Sequence, residues 1–117
     1  MSFEARCHCG AVVVKVDADV PGQAVECNCS HCSAKGFLLT FVSPDQFELV
    51  SGDESKLTEY LFNKHKIHHR FCPTCGVQSF ARGVGPDGKP MVAINLRSID
   101  DLDLGAVKTQ KFDGKSM

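Results

Sequence analysis

Phe71-Cys72-Pro73-Thr74-Cys75-Gly76 decides the fold. Two cysteines separated by two residues and followed by glycine form a knuckle, a tight turn whose thiolates converge on one metal ion while backbone N–H groups point at the sulfurs. The glycine supplies the positive φ and close backbone approach that such a turn needs. A knuckle offers two ligands, and a closed tetrahedral zinc site needs four. Cys7-His8-Cys9-Gly10 is the matching half. Joining the two halves ties residues some sixty positions apart and makes most of the chain one metal-closed loop.

Working outward, the 117 residues fit one domain spanning 1–117, large enough for a modest core and small enough to gain from a metal staple. Hydrophobic residues make up 43% and charged residues 23%, and no apolar run approaches the length of a membrane span. The start, Met-Ser-Phe-Glu-Ala-Arg, lacks a basic segment followed by an apolar one, so a reducing cytoplasm is the expected compartment. A formal net charge of −1 argues against a general polyanion binder. The seven cysteines are an odd number, and they cluster as C-x-C, C-x-C-x2-C and C-x2-C. That is chelate spacing and not a disulfide framework.

Short extended segments recur along the chain. They are Phe3 to Arg6, Ala11 to Asp17, Ala24 to Asn28, Phe37 to Val42 (read as buried), Phe47 to Val50, Leu57 to Phe62, Lys66 to Phe71, Val77 to Arg82 and Met91 to Leu96. Ser30 to Lys35 allows a single helical turn ended by Gly36, and the tail after Ser98 reads as loop. Gly and Pro punctuate the rest, and no segment sustains a helical apolar period. The fold class is mostly β. Phe37, Phe41, Phe47, Phe62 and Phe80 are expected in the core.

Cys7, Cys9, Cys72 and Cys75 would saturate zinc as a structural site. Cys27-Asn28-Cys29-Ser30-His31-Cys32 leaves three thiolates for a second ion, so two zinc ions per chain are expected. Three protein ligands with a fourth position open is the form of a catalytic zinc site. The alternative is closure by His8, His65, His68 or His69, since His31 abuts Cys32 and is poorly placed to reach the same ion. A sulfur-rich open site suits a thiol substrate, whose thiolate it stabilises, and making or breaking a carbon–sulfur bond is the chemistry that fits. Phe37 and Leu38 follow the cluster and are candidates to line its pocket.

Lys64-His65-Lys66-Ile67-His68-His69-Arg70 is the densest basic stretch. At strand period, Lys64, Lys66, His68 and Arg70 share one face, opposite His65, Ile67, His69 and Phe71. Lys66 and Arg70 are candidates to hold the carboxylates of an anionic thiol, and the rival is a solvated edge strand whose lysines deter aggregation. With one tyrosine and no tryptophan there is little stacking platform for single strands, so nucleic acid is not expected as a partner.

The order Cys7-x-Cys9-Gly10, then Cys27-x-Cys29-x-x-Cys32 with Lys35-Gly36, then Phe71-Cys72-x-x-Cys75-Gly76, with Phe112-Asp113-Gly114-Lys115 near the end, resembles the glutathione-dependent formaldehyde-activating enzymes and their relatives, which include centromere protein V. The resemblance implies several coiled antiparallel β-sheets, related to the fold of a Rab nucleotide-exchange factor and of methionine-R-sulfoxide reductase. It implies a structural zinc on Cys7, Cys9, Cys72 and Cys75 and a reactive zinc on Cys27, Cys29 and Cys32. The activity it implies is carbon–sulfur lyase chemistry in reverse, joining formaldehyde to glutathione as S-hydroxymethylglutathione. The chain is short beside the named enzyme, and Asn28 stands where relatives often carry histidine. The substrate expected here is therefore a small thiol adduct, of which the glutathione adduct is one instance. A non-catalytic zinc-stabilised binding module is the alternative, and chromatin or nucleic-acid association a weaker one.

Overall fold

The computed structural model describes residues 2–61, 67–85, 87–99 and 102–112. Among these, ten strands form two sheets, confirming a mostly-β architecture. The smaller sheet holds β1 (Phe3–Arg6), β2 (Val13–Val16) and β5 (Phe47–Ser51) in the order β1-β2-β5. The larger holds β3 (Gln23–Cys27), β4 (Leu39–Val42), β6 (Thr58–Tyr60), β7 (His68–Phe71), β8 (Phe80–Val84), β9 (Pro90–Asn95) and β10 (Lys108–Phe112). Its order is β10-β3-β4-β9-β8-β7-β6.

Alternation drives the small sheet. Phe3, Ala5, Val14 and Val16 are buried while Glu4, Arg6 and Lys15 point to water, as period two requires of a sheet with one wet face. The buried side meets Phe80, Val92 and Ile94 from the middle of the large sheet, and Cys7 and Cys72 belong to the same core. The core between the two sheets therefore includes Cys7 and Cys72, while Cys9 is exposed. A second, smaller core of Ala24, Leu38 and Leu96 lies under Leu102, Leu104 and Val107.

Three features differ from the expectations. The strand starting at Phe37 begins at Leu39, and although Phe37 and Leu38 are buried, Phe41 is 45% exposed. An apolar run suggested burial on both faces, but this strand is covered on one. The tail after Ser98 is not all loop, because Lys108–Phe112 forms β10, parallel to β3. Every other strand pairing among the described residues is antiparallel. Phe62, placed in the core from sequence, lies outside the described residues, as does Lys66. Among the described residues no helix is long and apolar enough to cross a membrane.

Candidate metal centres

Two turns build the first centre by the same device. Cys7 follows β1, its N–H donating to the Val12 carbonyl at 3.0 Å, while the Val12 N–H donates to the Cys7 sulfur at 3.3 Å. Cys72 follows β7, its N–H donating to Val77 at 3.2 Å, while the Thr74 N–H donates to the Cys72 sulfur at 3.4 Å. Gly10 (φ 81°) and Gly76 (φ 80°) take the left-handed conformation that turns each chain back. The Sγ atoms of Cys7, Cys9, Cys72 and Cys75 all lie within 4.8 Å of one another. Cys7–Cys9 and Cys9–Cys72 are each 3.6 Å apart. Tetrahedral zinc with Zn–S bonds of about 2.3 Å puts its sulfurs about 3.8 Å apart, so the donor set fits the ion. Cys7 and Cys72 are 1% and 2% exposed.

The electrostatics of the quartet point the same way. The N–H groups of Val77 and Cys9 bring the Cys75 thiol down to about 6. The Ala11 N–H favours the Cys9 thiolate too, but the neighbouring sulfurs of Cys7 and Cys72 outweigh it and push Cys9 up to about 11. Four sulfurs so close cannot all ionise without a cation between them.

The second centre uses a strand end and a helix start. Cys27 closes β3, Cys29 is the N-cap of α1 (Ser30–Lys35), and Cys32 is its third residue. The Cys32 N–H donates to the Cys29 sulfur at 3.4 Å. Gly36, at φ 68°, ends the helix with its N–H on the Cys32 carbonyl. The turn is backed from behind, since the Asn28 N–H donates to the Phe112 carbonyl of β10 at 3.1 Å. Among the described residues the group holds Cys27, Cys29 and Cys32 and no histidine or carboxylate. Burial raises the Cys29 thiol, but the Cys32 N–H and neighbouring groups bring it below its ordinary value, while burial and the other two sulfurs push Cys32 well up. Three thiolates on Zn²⁺ fit by donor chemistry.

None of the described histidines offered as closers, His8, His68 or His69, joins the trio. His31 stacks on Tyr60 (5.7 Å between centroids) and meets Phe37 at 5.7 Å and His69 at 4.0 Å. His69, 6% exposed, sits against Gln78, whose amide nitrogen is 3.3 Å from its Nδ1. His68 pairs with Glu59, and His65 lies outside the described residues.

The basic stretch divides by face, as the alternation predicts. Tyr60 pairs with His69 across β6 and β7, placing both on the side where α1 packs, whereas Arg70 pairs with Glu59 on the other side. Arg70 is held there by Glu54 and Glu59, and Arg82 donates to Glu54 at 2.6 and 2.9 Å. Arg70 and the second cluster are thus not brought together.

The family model for the glutathione-dependent formaldehyde-activating enzyme matches residues 2–113. The chain belongs to that family. A crystal structure of a Rhodobacter sphaeroides protein is similar over 94% of this chain and 100% of its own, with 27% identity and a TM-score of 0.75. In this formaldehyde-activating-enzyme family member, two groups of side chains escaped the sequence. The first is the ring cluster of His31, Tyr60 and His69, which requires the β6–β7 register. The second is the Lys35–Gln78 hydrogen bond at 3.1 Å; Lys35 was marked by its place in the Cys32-to-Gly36 motif, but nothing in the sequence pointed to Gln78.

Proposed function

We propose that this chain is a zinc-dependent carbon–sulfur lyase acting on a small thiol adduct of the S-hydroxymethylglutathione type, run toward adduct formation or cleavage. The observation that carries it is the contrast between the two clusters. Four sulfurs make a complete tetrahedral set, whereas Cys27, Cys29 and Cys32 are one donor short among the described residues. A zinc ion on the trio would stabilise the substrate sulfur as thiolate and polarise an oxygen on the attached carbon.

The protein's own groups prepare that position. The Cys32 N–H holds the Cys29 sulfur in its ligating rotamer. His31, between Cys29 and Cys32 in sequence, packs its ring against Phe37, Tyr60 and His69. In the forward direction the thiol sulfur forms a bond to the aldehyde carbon, and the thiol's proton ends on the aldehyde oxygen, so no further reactant is needed. Pairing of His68 and Arg70 with Glu59 and Glu54 supports this reading over phosphate binding.

The test is exchange spectroscopy by nuclear magnetic resonance on zinc-loaded protein with formaldehyde and a panel of thiols. Faster interconversion of at least one thiol with its hydroxymethyl adduct is expected. No acceleration for any pair, in protein carrying two zinc ions, would refute the proposal.

A further inference from the structure

Lys35, an exposed residue, is the cation that α1 carries one helical turn beyond the last cysteine of the three-cysteine cluster. It follows Cys32 by three residues and His31 by four in α1, so the three side chains lie along neighbouring rows of one helix face. Its ammonium donates to Gln78 Oε1 at 3.1 Å and lies 4.8 Å from the Phe71 ring centroid and 5.8 Å from that of Phe37. Gln78 is buried, its backbone carbonyl accepts from the Asn95 side-chain amide at 2.9 Å, and its own side-chain nitrogen lies 3.3 Å from His69 Nδ1. Among the described residues no carboxylate pairs with Lys35. Of the nearby arginines, Arg70 and Arg82 share Glu54, and Arg97 donates to the Gly36 carbonyl at 2.6 Å.

We propose that Lys35 is a specificity-determining residue that binds the carboxylate of an anionic thiol whose sulfur occupies the open side of the Cys27/Cys29/Cys32 centre. This rests on the open-site reading given above. Two physical points favour it over a solvated surface lysine. The ammonium lies against two aromatic faces and a buried amide with no carboxylate paired to it among the described residues, and burial lowers its affinity for its own proton. A divalent ion on three thiolates carries a net charge near −1, which repels an anionic ligand, and a cation one helical turn away offsets that repulsion. The pairing of Lys35 with a neutral acceptor leaves two of its three donors for the carboxylate.

The experiment measures, by isothermal titration calorimetry on the zinc-loaded full chain, the affinities of 3-mercaptopropionate and 2-mercaptoethanol, which present similar sulfurs with and without a carboxylate. The carboxylate thiol is expected to bind about threefold to tenfold more tightly, the range of a partly exposed ion pair. Lys35→Met should erase that preference and leave 2-mercaptoethanol affinity and zinc content unchanged. Lys35→Arg should retain it, and so should Arg70→Gln. A preference that survives Lys35→Met, or that disappears in Arg70→Gln, overturns the assignment. If the wild-type chain binds neither thiol, the open site itself falls and the role of Lys35 with it, whereas equal binding of both thiols removes Lys35 alone.

Discussion

Replacing Cys72 should unfold the protein, and replacing Cys29 should not, because metal ions held by the two cysteine clusters would close loops of very different size. Cys9 and Cys72 are separated by 63 positions. Treating the metal as a cross-link, closing a loop of that length removes about 4 kcal/mol of unfolded-state entropy. The trio spans only Cys27 to Cys32, and the same relation gives about 2 kcal/mol. A domain of this size has about 5–15 kcal/mol of total stability, so the first loss is comparable to the whole and the second is not. Location widens the gap: Cys72 sits in the main core between the sheets, while Cys29 caps a single turn at one end. Serine at the latter position keeps an N-cap acceptor for the Cys32 N–H. Urea unfolding with zinc counted by mass spectrometry is the assay. Cys72→Ser should lose cooperative unfolding or at least about 4 kcal/mol, together with its structural zinc. Cys29→Ser should stay folded within about 2 kcal/mol, retain one zinc ion and lose turnover. Equal collapse of the two variants, or a smaller loss for Cys72→Ser, would refute the division into a structural and an open centre.

His69 should remain a neutral imidazole with its proton on Nε2: Lys35 donates to Gln78 Oε1, so the other arm of that amide donates to Nδ1. Burial, then the charges of His31, Lys35 and His68, lowers it from 6.5 to about 4. The unfolded chain takes up this proton first, so the stability contributed by His69 is complete above about pH 6.5 and is lost as pH falls toward 4; ¹⁵N-detected imidazole shifts that show protonation near pH 6.5 would contradict it. Glu54→Gln should cost about 1 kcal/mol at pH 7 by releasing Arg82 and Arg70. Because hydrogen bonding and charge from Arg82 hold the Glu54 carboxyl below its ordinary value, the wild-type advantage exists above that value and vanishes as pH falls through the depressed one, which paired urea titrations at neutral and acid pH would show. Gly52→Ala should destabilise by about 1–3 kcal/mol, since φ is 99° there and a Cβ would stand 3.0 Å from the Ala11 carbonyl oxygen; an unchanged thermal midpoint would contradict it.

The metal quartet was legible because C-x-C-G and C-x-x-C-G leave few alternatives for where four thiolates go. The helix at Ser30–Lys35 was legible from its glycine stop. Other features depended on partners that no local pattern names. β10 carries Lys-Thr-Gln-Lys-Phe with every position exposed, so it has no buried face and gives no alternation. It is a strand only because β3 offers an unpaired edge. Phe41 looked buried because an apolar run cannot say that one side of β4 lacks a covering layer. The meeting of His31 with His69 needs a helix face and a strand register at once. Alternation alone did place His69 and Arg70 on opposite faces, but not which face would meet the second cluster.

The parallel pairing of β10 with β3 bears on how the polypeptide is made. All four sulfurs of the quartet have been synthesised once Cys75 is joined, whereas the carbonyl that receives the Asn28 N–H belongs to Phe112. A nascent chain could therefore gather the quartet first, and the backing of the Cys27–Cys32 turn would arrive only after the chain has been extended from Cys75 to Phe112. Such an order lets the quartet gather before the turn that carries the trio gains its support.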